Sequence, residues 1–142
     1  MKPLAVLALV ALTSIATAQS ARTFKARLSP VPIDVSMQST IAGSGSVTAT
    51  LDGTTLTING KYDGLKTPAT IARVHRAFRG TRGPSFAELK VSGGTNGTIT
   101  GQIALTKEQI SELGKSLFYV QLHSEKAPDG NLWGWLLPDT GK

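Results

Sequence analysis

The chain contains no cysteine. No disulfide can staple it, and no thiolate can serve as nucleophile, lipid anchor or metal ligand. Its stability has to come from packing alone. Histidine is nearly absent as well, with only His75 and His123 present. The nine carboxylates are scattered, several of them in turns or on a helix surface. No serine sits in a Gly-x-Ser-x-Gly elbow ahead of a helix; Gly43-Ser44-Gly45-Ser46 opens a hairpin strand instead. A hydrolytic triad therefore lacks its parts, and a non-enzymatic role is expected.

Only one apolar run approaches a membrane-relevant length, and it lies at the N-terminus. Lys2, the run Leu4 to Leu12 and the small residues Ala16-Thr17-Ala18 form the pattern of a cleavable export signal. The run falls short of the roughly 20 residues that a spanning helix needs. Residues 1–18 are read as the signal, with cleavage after Ala18, and 19–142 as one domain without a transmembrane segment. The expected location is secreted or periplasmic.

The formal net charge is +6. Arg73, Arg76, Arg79 and Arg82 supply much of it from one short stretch. Such a stretch suits an anionic envelope component or an acidic protein surface, or else a solvated loop that keeps the chain soluble. Nucleic acid is not the expected partner, because interleaved aromatics and binding motifs are missing.

Turn residues and period-2 runs dominate the rest. Val47, Ala49 and Leu51 alternate with polar residues, as do Leu56 and Ile58, and Asp52-Gly53 between them suits a tight hairpin. Further strands are expected at Thr23 to Leu28, Thr70 to Phe78, Phe86 to Val91, Thr98 to Leu105, Leu117 to His123 and Leu132 to Leu137. Pro30 to Ala42 reads as a long loop or a ragged edge strand. Asn96-Gly97-Thr98 fits a glycosylation acceptor but reads here as a turn. Thr106 to Gly114 is the exception, a short helix with Thr106 and Gln109 as a capping box and Ile110 and Leu113 on one face. An all-β antiparallel, Greek-key-like sandwich or open barrel follows, with this helix before the last hairpin.

The C-terminal run Phe118-Tyr-Val-Gln-Leu-His123, followed by Pro128-Asp129-Gly130 as a turn and Leu132-Trp133-Gly134-Trp135 as a strand, resembles the closing hairpin of the CHRD domain. Similarity extends from Phe24 to about Leu136, through Gly45 to Gly53, Tyr62-Asp63-Gly64-Leu65 and Leu105-Thr106 with Gln109. The resemblance implies an extracellular module for protein interaction. Two departures stand out. The family's Ala-His-Ile-His strand is Ala72-Arg73-Val74-His75 here, and its Gly-Glu-Ile-Arg-Gly is Gly130-Asn131-Leu132-Trp133-Gly134.

Strand alternation places Arg73 with His75, and Tyr119 and Gln121 with His123, on the faces away from the better apolar sets. If the two strands are neighbours, the histidines converge. The expected contact surface is Arg73, His75, Arg76, Arg79, Arg82, His123, Trp133 and Trp135, with no cofactor. The two tryptophans either form an exposed platform or join the core, and Gly134 between them suggests a close backbone approach on the opposite face. The alternative is a copper or zinc site of His75, His123 and Asp129, against which the Arg73 charge would act.

Overall fold

The computed structural model describes residues 20–141, so the expected signal at 1–18 lies outside the described residues. Within them run β1 (Arg22–Pro30), β2 (Ser44–Asp52), β3 (Thr55–Asp63), β4 (Ala69–Arg76), β5 (Ser85–Val91) and β6 (Gly97–Ala104). Helix α1 (Lys107–Gly114), β7 (Phe118–Ser124), β8 (Ala127–Trp135) and the two-residue β9 (Leu137–Pro138) follow.

Every pairing is antiparallel, in the order β2-β3-β6-β5-β4-β7-β8-β1, and β1 returns to pair with β2. The eight strands thus close into a barrel, where a sandwich or open barrel was expected. Two strands bridge its halves. In β1, Arg22 to Leu28 pair with β2 while Ser29 and Pro30 pair with β8. In β5, Ser85 to Leu89 pair with β4, with a register shift opposite Val74 and His75, while Lys90 and Val91 pair with β6. Closure removes the free edges that an open sheet would expose.

The period-2 pattern decides what fills the interior. Val47, Ala49, Leu51, Leu56 and Ile58 point inward as expected, and Ile99, Phe118, Val120, Leu122 and Leu132 meet them, all buried. The interior is a packed core. Gly53 turns the β2–β3 hairpin with φ +60°. Helix α1 carries the capping box, with Gln109 N donating to Thr106 Oγ1 (3.1 Å) and Thr106 N to Gln109 Oε1 (2.9 Å). Leu113 is buried beneath it, with Ile110 packed alongside.

Two local expectations change, and one open choice, between a loop and an edge strand at Pro30 to Ala42, falls to the loop. The closing turn falls at Glu125-Lys126, and Pro128, Asp129 and Gly130 lie inside β8, across a register shift from β7. Pro30 to Ala42 forms no edge strand. Beyond the end of β1 it is a loop with a 3-10 turn at Val35–Met37, because Asp34 caps that turn by accepting from Ser36 N (2.8 Å) and Met37 N (3.2 Å). Glu112 is buried rather than on the helix surface, since Arg76 Nε reaches its carboxylate at 2.8 Å.

Candidate functional site

Strand β7 is buried on both faces. Phe118, Val120 and Leu122 enter the barrel, while Tyr119, Gln121 and His123 lie beneath a roof on its outside. The cause is a second apolar cluster of Val31, Ile41, Tyr119, Ala127 and Trp133, with Met37, Ala77 and Trp135 at its border. Two loops supply this roof, 31–43 from one end of the barrel and 77–84 from the other.

Loop 77–84 is tied down along its length. Trp135 Nε1 donates to Ala77 O (3.0 Å), and Gly83 N donates to Tyr119 Oη (3.1 Å). Arg82 lies over the Trp133 ring at 5.7 Å and donates to Asp129 O at 3.2 Å. A tight turn at the tip, with Thr81 N donating to Phe78 O (3.0 Å), leaves Phe78 75% exposed and Arg79 in solvent.

Strands β4 and β7 are neighbours, with His75 opposite Tyr119 and Arg73 opposite Gln121. The two histidines do converge, at 6.5 Å between ring centroids, and His75 stacks on Tyr119 at 4.7 Å. His75 Nδ1 is 2.8 Å from Gly83 O, and His123 Nδ1 is 2.8 Å from Pro128 O. A carbonyl only accepts, so Nδ1 carries the proton in both rings and each Nε2 keeps its lone pair. Gln121 Nε2 donates to His123 Nε2 and to Asp129 O, both at 3.3 Å. His75 Nε2 and Gln121 Oε1 are buried and unpartnered.

The remaining sequence candidates disperse. Arg73 faces Glu88 at 3.6 Å, a half-exposed pair worth little, and Arg76 is spent on Glu112. Asp129 is exposed in β8; its backbone carbonyl accepts from Gln121 Nε2 and Arg82 Nη1, and its carboxylate reaches His123 only as a nearby charge. Among the described residues no group of three His, Asp or Glu side chains is placed to hold a metal ion together. The tryptophans are neither an open platform nor part of the barrel core. They pack edge to face at 4.8 Å in the outer cluster, with Trp133 buried and Trp135 half-buried. Sequence reasoning missed the parts played by Tyr119 and Gln121, although the alternation that grouped them with His123 was the available signal.

Burial pushes both imidazoles below their ordinary value of 6.5, and the positive charge of Arg73 acts on each in the same direction, as does Arg82 on His75. The hydrogen bonds to Gly83 O and Pro128 O, and the Asp129 charge on His123, oppose this without reversing it. A lowered folded-state pKa means that the unfolded chain takes up protons first. The stability these rings contribute is complete above pH 6.5 and is lost as pH falls through the folded-state values. Metal-free protein is therefore expected to melt at a lower temperature at pH 5 than at pH 7.5. Replacing both histidines by glutamine should flatten that difference, and an equally steep slope in the double variant would assign it to other groups.

The described residues thus form a closed β-barrel domain with a filled interior and one roofed outer face. The chain belongs to the CHRD domain family, which it matches over residues 24–136. That membership suggests an extracellular binding module. No curated protein and no solved structure matches the chain. No helix among the described residues is long and apolar enough to cross a membrane.

Proposed function

We propose that the chain is an exported, non-enzymatic binding module that meets an anionic envelope component or acidic protein surface through loop 77–84. The observation that carries this reading is the loop's construction. Its ends are held by Tyr119, Trp133 and Trp135, while Phe78 and Arg79 stand out at its tip. A contact surface held rigid in advance loses little conformational entropy on binding. An exposed aromatic beside a cation suits a partner with negative charge at its surface and apolar area beneath.

Vesicles containing an anionic phospholipid serve as the probe. One basic residue near such a surface contributes about 1 kcal/mol, and charge reversal removes that and adds repulsion. Arg79→Glu combined with Phe78→Ala is expected to weaken vesicle binding by roughly 10-fold or more at low salt, with an unchanged melting temperature. Equal binding by variant and parent would remove loop 77–84 as the contact.

A second reading, an extracytoplasmic copper- or zinc-handling protein, draws on a separate observation. Both histidines are held as Nδ1–H tautomers with Nε2 lone pairs on one patch, the arrangement by which outer hydrogen bonds prepare imidazole ligands.

A further inference from the structure

We propose that His75 and His123 bind one soft monovalent metal ion, Cu(I) or its stand-in Ag(I), between their Nε2 atoms, with the Gln121 carboxamide closing the site. This rests on the metal-binding reading above and narrows it to an ion class.

Gln121 is 3% exposed, yet its Oε1 meets no donor, and the buried His75 Nε2 also has none. Each orphan carries a desolvation cost that no hydrogen bond offsets. Both are electron-pair donors, so a cation is the kind of partner each lacks, whereas another acceptor would satisfy neither. The Gln121–His123 contact at 3.3 Å is long for a hydrogen bond and easily surrendered. Turning the Gln121 amide over directs Oε1 to where its Nε2 now lies and gives up the 3.3 Å bond to Asp129 O, a carbonyl that Arg82 still satisfies at 3.2 Å.

Spacing and charge then select the ion. Imidazole lone pairs lie in the ring planes, so metal–imidazole bonds of about 2.0 Å on each side place two ring centroids roughly 6 Å apart when the rings stand end to end. The observed separation is 6.5 Å with the planes stacked at 27°, so the spacing suits one ion and the rings turn about their side-chain bonds to present both Nε2 atoms to it. A structural divalent ion asks for four ligands and prefers some of them anionic. Here the ligands are neutral, no third carboxylate or histidine joins them, and the Arg73 charge acts on both rings. Repulsion from that cation doubles for a divalent ion. A d10 monovalent ion is content with two or three neutral donors and carries half the charge into the roofed face.

The test is titration of untagged protein with Ag(I), and anaerobically with Cu(I) held by a chromophoric competitor, beside Zn(II) and Cu(II). One ion per chain is expected, bound at least about 100-fold more tightly for the monovalent pair, with both histidine Nε2 resonances shifting in nitrogen NMR. His75→Gln and His123→Gln should each weaken binding by more than about 100-fold, the upper end of what even outer-shell partners cost. The NMR readout on parent protein stands whether or not the variants fold. Tighter Zn(II) or Cu(II) binding at the same nitrogens would overturn the ion class and leave the metal reading. No stoichiometric binding of any of the four ions, or binding that leaves both Nε2 signals unmoved, overturns both.

Discussion

Gly134→Ala is expected to cost roughly 3 kcal/mol, at the upper end of overpacking effects, because the added methyl meets backbone rather than a yielding side chain. The methyl would collide with the Arg27 carbonyl oxygen and come within 3.1 Å of Leu28 Cδ2. Leu28 can adjust its rotamer, but the Arg27 carbonyl belongs to β1, the strand that closes the barrel. Making room means moving β1 off β8, where only Ser29–Trp133 and Pro30–Leu132 are paired, with Val31 N to Asn131 O (3.0 Å) beyond. Urea unfolding should show the loss, and hydrogen exchange at Val31 should accelerate first. Gly53→Ala is the comparison, since it meets nothing within 4 Å and carries only the cost of φ +60°, about 1–2 kcal/mol. A smaller loss for Gly134→Ala than for Gly53→Ala would mean that the seam is not tight.

This glycine also shows what the sequence made legible. Its place between two tryptophans in a strand suggested a close approach, and period 2 sorted Phe118, Val120 and Leu122 from Tyr119, Gln121 and His123. Alternation is a local property, so it survives whatever the strands later do. Closure is not local. Whether β1 reaches both β2 and β8 depends on strand length and coiling, which no window of residues reports. The site was half legible for the same reason. The histidines share outward faces by parity, but their approach to 6.5 Å required β4 beside β7. The roof was hidden because Pro30 to Ala42 read as a long loop or a ragged edge strand, and only the return of Val31, Met37 and Ile41 across Trp133 makes a core of it. The dispersal of the arginines was equally hidden. Arg76 turned to Glu112 and Arg82 to Trp133, partners more than thirty residues away. Of the four, Arg79 alone stands in solvent with no such partner among the described residues.

Trp133→Ala is expected to cost about 3–5 kcal/mol while damaging the roof far more than the barrel. The indole touches Tyr119 edge-on at 5.7 Å and Trp135 at 4.8 Å, carries Arg82 above it, and anchors the cluster that holds Val31 and Ile41. None of those contacts lies inside the barrel, where Leu132 and Leu136 on the opposite face of the chain remain packed. The lost stability should therefore appear as local opening, with hydrogen exchange in 31–43 and 77–84 rising before that of β2, β3 and β6. Solvent admitted to the roofed face also relieves the burial that depresses His75, so its imidazole should titrate closer to 6.5 in the variant. Uniform acceleration across all strands would contradict a separate outer cluster, as would an unmoved His75. The expected pattern ties the histidine tautomers and the rigid Phe78 loop to one tryptophan. It also makes the roof, rather than the barrel interior, the part of this fold on which both proposed binding roles depend.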